Sequence, residues 1–164
     1  MDRKTFETVI AGLWARLGIA EPVFGPDPEV ILLVDGFEIV LRHGEDGRVL
    51  VIEAQAGTLT SRPGFERIEL EKLLKTNLML SAVRNTIAVL DADERSDTPR
   101  ILIRAFYRYQ QNALEKLTDL VSDVVSSSET LQQVLAALPG AGKGLSASGD
   151  MFPSREEELV VLRL

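Results

Sequence analysis

The sequence predicts an α+β fold: an antiparallel five-stranded sheet with flanking helices, in the order α-β-β-β-α-β-β-α, the last helical segment in one or two pieces. The chain opens with an amphipathic helical stripe, continues with three short strand-like runs joined by tight turns, and later returns twice to helical spacing. Because helices and strands do not alternate regularly, a parallel doubly wound sheet is not expected.

The first helix is predicted from Arg3 to Leu17, and Gly18 follows it as a stop signal. Its apolar residues recur at spacings of three and one, which places them on one stripe. The stripe consists of Phe6, Val9, Ile10, Leu13, Trp14 and Leu17. Two interpretations of Trp14 stay open: it packs in the core, or its edge of the stripe forms a groove for an extended partner segment.

Three strands are predicted after a proline-rich loop. Asp35-Gly36 is a tight-turn signal between the apolar runs Val30–Val34 and Phe37–Arg42, which therefore form a hairpin. A further strand over Arg48–Ala56 completes an antiparallel meander.

The second half of the chain again contains helical apolar spacing and strand-like apolar runs. A short Leu-rich helix is predicted over Glu69–Leu78, and strands are predicted at Thr86–Leu90 and Arg100–Phe106. Helical spacing then returns for the rest of the fold. Ser126 and Glu129 have the spacing of a capping box, which predicts that this last helical segment restarts there.

The domain is expected to comprise residues 1–138, and residues 139–164 are expected to form a flexible tail. The stretch 139–150 is rich in Gly, Ser and Ala, a composition typical of flexible linkers. The final segment, 156–164, is acidic and then apolar, so it is interpreted as either a short strand or a docking tail.

Charge and hydropathy narrow the classes of partner and location. The net charge of −7 repels nucleic acid and anionic membranes, and the cations are scattered and mostly next to acidic residues, so neither is expected as a partner. No apolar run approaches the roughly 18 residues of a membrane span. The N-terminus does not have the pattern of a signal peptide, and the expected location is therefore the cytosol.

Motifs for catalysis and for metal or cofactor binding are incomplete. The chain has one His and no Cys, too few ligands for a zinc site, and a Ser-His-Asp set would depend on His43, interpreted as a solvated surface residue. Asp91, Asp93 and Asp97 resemble the start of a calcium loop but lack its Gly and its final Glu. The stretch Gly140–Gly144 departs from a phosphate-binding loop. No catalytic residue, metal or cofactor is expected, and the chain is not expected to be an enzyme.

The Leu-rich second helix and the strand after it predict a two-fold interface between two copies of the chain. This strand is apolar on both faces, which indicates burial on both sides. The alternative is that both elements belong to the core. The residues expected at the interface are Leu70, Leu73, Leu74, Asn77, Leu78, Ile87 and Val89.

Four segments carry a resemblance to a known family. They are FETVIAGLWARLG (Phe6–Gly18), ILLVDGFEIVL (Ile31–Leu41), VLVIEAQAG (Val49–Gly57) and LEKLLKTN (Leu70–Asn77). In this order, and followed by two strands and a helical segment, they resemble the class I type III secretion chaperones, the family of the Tir chaperone. The chain departs from the family at Ser81–Asn85, which lacks the Gly usually found there.

The resemblance implies a function in protein binding. It implies a homodimer formed through the second helix and fourth strand, which holds the extended N-terminal segment of a secreted effector in the bacterial cytosol without ATP. The residues expected to bind the effector are Phe6, Ile10, Leu13, Trp14, Leu17, Ile31 and Leu33. The alternative function is a cytosolic regulatory or adaptor protein of the same fold with no role in secretion.

Overall fold

Three helices and six strands make up the chain in its computed structural model, which describes residues 3–59, 66–91, 99–110, 113–137 and 160–162. The elements are α1 (Arg3–Leu17), β1 (Glu29–Val34), β2 (Phe37–His43), β3 (Val49–Thr58), α2 (Glu66–Arg84), β4 (Ile87–Asp91), β5 (Arg100–Arg108), α3 (Leu114–Ala136) and β6 (Val160–Leu162). The first eight confirm the predicted α+β order. Among the described residues, no helix combines the length and apolar character needed to cross a bilayer.

The sheet has the strand order β4-β5-β3-β2-β1-β6. Strands β1 to β5 pair antiparallel, as predicted, whereas β6 pairs parallel with β1. The turn between β1 and β2 is Asp35-Gly36, with φ angles of +50° and +84°. Positive φ at both central positions is the requirement of a type I′ turn, whose twist matches that of the two strands it joins.

The strand register separates an inner from an outer face of the sheet, because directly opposed residues of paired strands point to the same side. One inner row across β1, β2, β3 and β5 is Leu32, Ile39, Ala54 and Ile103, all at most 2% exposed. The neighbouring outer row, from β1 to β4, is Ile31, Val40, Glu53, Arg104 and Ile87.

The helices form a layer on the inner face. Helix α3 packs against β2, β3 and β5, and both α1 and α2 pack against α3. At Gly12 a Cβ atom would lie 3.0 Å from Cδ2 of Leu114, so the absence of a side chain there permits the close approach of α1 to α3. The core therefore lies between one sheet face and three helices.

Two helices differ from the sequence prediction. Helix α2 covers Glu66–Arg84, well beyond the predicted Glu69–Leu78, because its later turns leave apolar residues exposed and so break the expected stripe. Helix α3 is continuous, and the predicted restart at Ser126 is wrong. The helix runs unbroken from Leu114 to Ala136, and the hydroxyls of Ser128 and Thr130 donate to the carbonyls of Val124 (2.8 Å) and Ser126 (2.7 Å), four residues earlier, as inside a continuing helix.

The C-terminal part of the chain is described only at Val160–Leu162, which forms β6. The final segment was interpreted as either a short strand or a docking tail, and in the structure it contains a short strand. Residues 138–159 lie outside the described residues, and the flexibility of the tail stays a prediction.

Candidate partner-binding surfaces

Exposed apolar side chains lie along α2 and on the edge strand β4, where Ile87 is on the outer face of the sheet and Leu90 on the inner face. We call this set the α2–β4 surface, and its members are Leu70 (37% exposed), Leu74 (67%), Leu78 (75%), Ile87 (36%) and Leu90 (41%). The three leucines are four residues apart and so lie on one side of the helix. Clustered exposed apolar side chains of this kind mark sites of protein–protein contact.

Asn77 ties the two elements of this surface together. Its Oδ1 accepts a hydrogen bond from the backbone N–H of Ala88 (2.7 Å), and its Nδ2 donates to the carbonyl of the same residue (3.3 Å). The side-chain amide thus pairs with β4 as a neighbouring strand would. Asn77 was predicted to lie at a dimer interface, and in the structure its side chain holds α2 beside β4.

Leu73 needs a correction among the predicted interface residues. It is 5% exposed and belongs to the core, because it lies on the side of α2 that faces α3 and the sheet. Val89 is half-buried on the outer face of β4, opposite Leu102 of β5. Of the seven predicted residues only Leu73 is buried; the other six, Leu70, Leu74, Asn77, Leu78, Ile87 and Val89, are exposed or half-buried.

Ile31 and Leu33 are the two predicted effector-binding residues that lie on a strand. Both are half-buried on the outer face of β1, opposite Val40 and Glu38 of β2. They form the end of the outer face farthest from the α2–β4 surface, since β1 and β4 are separated by three strands.

The effector-binding residues predicted on α1 need correction. Phe6, Ile10 and Leu13 are 0% exposed and Trp14 is 2% exposed, so these four side chains form the core beneath α1. Leu17 is partly buried against the same core. A partner cannot reach the four buried residues without opening the fold. The core interpretation of Trp14, left open above, is the one that the structure shows.

A charged cluster occupies the middle of the outer face. Glu53 is 8% exposed. Its carboxylate accepts hydrogen bonds from Arg42 Nε (2.9 Å) and from Arg104. Burial alone raises the pKa of Glu53, but the hydrogen bond from Arg42 and the charge of Arg104 outweigh it and bring the pKa below its usual 4.5. The outer face therefore has a charged cluster at its centre, with the apolar residues Ile31, Val40 and Ile87 in the same row of the sheet.

His43 is not the solvated surface residue that the sequence suggested. Its ring lies 6.2 Å from that of Phe6, and its Nδ1 shares a 2.8 Å hydrogen bond with the hydroxyl of Tyr109. Burial raises the pKa of Tyr109 above its usual value, so its phenol stays neutral. The pair closes the end of the core beneath α1.

Several exposed apolar residues were not among the predicted sites. They are Val23 (70% exposed), Ile68 (45%), Met79 (48%), Val83 (72%), Leu90 (41%) and Phe106 (46%). The spacing of eleven and then four residues from Ile68 to Met79 and Val83 is a helical signal that could have been read. Phe106 lies between Arg104 and Arg108, and that alternation could have indicated an outward-facing aromatic residue.

Within the described ranges, no cluster of three or more His, Cys, Asp or Glu residues is arranged to hold a metal ion. Asp91, at the start of the candidate calcium loop, is paired with Arg100. Asp93, Asp97 and the Gly140–Gly144 stretch lie outside the described residues.

Similar structures share this fold. The type III secretion chaperone SycH of Yersinia pestis, solved with a stable fragment of YscM2, is 20% identical with a TM-score of 0.57, over 77% of this chain and 98% of SycH. The HopA1–SchA chaperone–effector complex gives 14% identity and a TM-score of 0.60, over 81% of this chain and 98% of the other. YbjN of E. coli, a putative transcription regulator, is 16% identical with a TM-score of 0.55, over 76% of this chain and 87% of YbjN. At such identities the similarity shows the fold alone.

No curated protein sequence matches the chain. The sequence model of the Tir chaperone protein (CesT) family matches residues 8–135, which include the last ten residues of α1, every element from β1 to β5 and nearly all of α3. This match covers more than half of the sequence. The chain therefore belongs to the Tir chaperone protein (CesT) family.

Proposed function

We propose that the chain is a type III secretion chaperone. As a homodimer, it binds the extended N-terminal segment of a secreted effector and keeps that segment soluble and competent for secretion. It acts in the bacterial cytosol by binding, without catalysis and without ATP. The observation that carries the proposal is the family match over residues 8–135.

The α2–β4 surface is the proposed dimer interface. A two-fold axis brings the same patch of both copies together, so a surface of exposed leucines on a helix can cover itself. Leu74 and Leu78, at 67% and 75% exposed, have the most side-chain area to bury. An interface of standard size buries about 800 Å² on each partner.

The outer face near β1 is the proposed effector surface. A disordered segment loses conformational entropy when it binds, so it needs a long surface with apolar contacts to compensate. Ile31 and Leu33 supply such contacts beside β2. The charged cluster at Glu53 divides this region from the α2–β4 surface, and one chain can therefore use both.

Replacement of Leu74 by Asp tests the dimer. The side chain is 67% exposed, so the monomer fold should persist while a buried charge disrupts the interface. We expect light scattering to give the mass of two chains for the wild type and one chain for L74D, with unchanged circular dichroism. Val23, 70% exposed on the loop after α1, provides the control V23D, which should remain a dimer. A dimeric L74D would contradict the proposed interface.

Effector binding is tested by co-expression with N-terminal segments of proteins encoded beside this chain. The double variant I31T/L33T removes apolar area from β1 and keeps residues that suit a strand. We expect the wild type and the control V23T to co-purify with one such segment and protect it from protease, and I31T/L33T to lose at least tenfold in affinity. If the chain dimerises but protects no segment, the regulatory alternative replaces the secretion role.

A further inference from the structure

We infer that β6 occupies the edge of β1 where a partner strand would add, so that a bound effector must displace the chain's own C-terminal strand. The β6 pairing is part of this structure, with Leu32, Leu33 and Val34 opposite Val160, Val161 and Leu162. The displacement of β6 by an effector rests on the function proposed above.

The hairpin geometry defines which backbone groups of β1 face β6. Val34 and Phe37 flank the two-residue type I′ turn and form a hydrogen-bonded pair, so Val34 directs its N–H and C=O toward β2. Alternate residues point the opposite way, and Leu33 and Ile31 therefore direct theirs toward β6. In a parallel ladder, Leu33, opposite Val161, bonds to the residues on either side of it, Val160 and Leu162.

The other edge of the sheet is not equivalent. At β4 the outward-directed N–H and C=O of Ala88 already bond to the side chain of Asn77. An incoming strand would have to break both bonds. Of the two edges, β1 is thus the one where a partner strand can add once β6 leaves.

The β6 pairing is suited to exchange. It spans three residues and is parallel, and parallel pairs are slightly weaker per residue than antiparallel ones. The tether to α3 nonetheless gives β6 an effective concentration on the order of millimolar. Strand β6 also lies beyond residues 8–135, the part of the chain that matches the family. A longer effector segment that pairs antiparallel with β1 could replace β6, whereas apolar segments that bind more weakly than β6 could not occupy this edge.

Proline substitutions in the full chain test whether β6 holds this edge. L162P removes the N–H that the ladder directs at the carbonyl of Leu33, whereas V161P removes an N–H that points away from β1 and should be tolerated on an edge strand. We expect amide hydrogen exchange at Leu33, whose N–H the ladder directs at the carbonyl of Val160, to rise about tenfold in L162P, as for a tethered strand of modest affinity. V161P should match the wild type. Equal exchange in all three proteins would overturn the inference.

A labelled peptide of residues 156–164 tests competition without an effector. It should bind L162P about tenfold more tightly than it binds the wild type or V161P, because the edge is then free. Equal affinities would overturn the inference.

An effector segment identified by co-expression then tests displacement. It should likewise bind L162P more tightly than V161P, and equal affinities would refute displacement while leaving the chaperone function intact. If no segment binds any variant, the proposed function fails, and the exchange and peptide results still decide whether β6 occupies the edge.

Discussion

Glu53 shows how a single residue can be both buried and charged on the face of a sheet. Its position on β3 between β2 and β5 places it opposite Val40 and Arg104, and Arg42 reaches it from the neighbouring row. Two guanidinium groups replace the water that the carboxylate loses. Glu53 is the shared partner of the cluster, because its removal takes a carboxylate from both guanidinium groups, whereas removal of one arginine leaves Glu53 paired with the other.

The exchange of Glu53 for Gln should lower the free energy of unfolding by about 2 kcal/mol at neutral pH. The folded-state pKa of Glu53 lies below its unfolded value, so the stabilisation is fully present above the unfolded pKa and disappears as the pH falls through the folded one. Urea unfolding should therefore show that the gap between wild type and E53Q narrows in acid. The exposed Glu45 supplies the control E45Q, which should change stability by less than about 0.5 kcal/mol. A gap that widened in acid would contradict this assignment.

At the scale of elements, the side-chain amide of Asn77 joins α2 to β4 by making the two hydrogen bonds that a neighbouring strand would make. The two hydrogen bonds of Asn77 to Ala88 fix the helix beside an edge strand that otherwise pairs only with β5. The contact also covers part of an edge that would be exposed to unwanted pairing. Asn77 thus both holds β4 beside α2 and covers part of the β4 edge against pairing with other strands.

Replacement of Asn77 by Leu keeps the side-chain volume and removes both hydrogen bonds. We expect a loss of about 2 kcal/mol in the free energy of unfolding, since the backbone groups of Ala88 lose their partners. The amide of Ala88 should exchange faster, as measured by mass spectrometry or NMR. N77D retains an acceptor for the Ala88 N–H and should protect that amide better than N77L. Equal exchange in both variants would show that the Asn77 bond does not hold the strand.

At the scale of the whole molecule, stability and assembly are coupled if the α2–β4 surface pairs two copies. A dimer that unfolds to separate chains gains stability with concentration, so the Tm of the wild type should rise by about 2 °C for each tenfold increase. L74D, as a monomer, should unfold at a Tm independent of concentration. Differential scanning calorimetry over two decades of concentration measures both. A wild-type Tm that does not change with concentration would contradict a dimer as the folded state.

Much of the fold was predictable because its signals are local. The α1 stripe, the Asp35-Gly36 turn and the apolar runs on either side of that turn depend on neighbours within a few residues. The site was less predictable. Leu13 was expected to bind the effector and Trp14 was left open between core and groove, and both lie in the core, whereas Phe106 is exposed and was not among the predicted sites. Periodicity identifies an apolar face of an element, but it does not show whether the rest of the protein covers that face.

The sequence by itself determined the order of the elements, the antiparallel meander and the family resemblance, because these depend on spacing and turn chemistry along the chain. Only the tertiary structure decided which apolar residues remain exposed and which edge of the sheet β6 occupies. Leu73 and Leu74 are adjacent and identical, yet they are 5% and 67% exposed. The physical reason is that burial is set by contacts with elements distant in sequence, and those contacts exist only once the chain has folded.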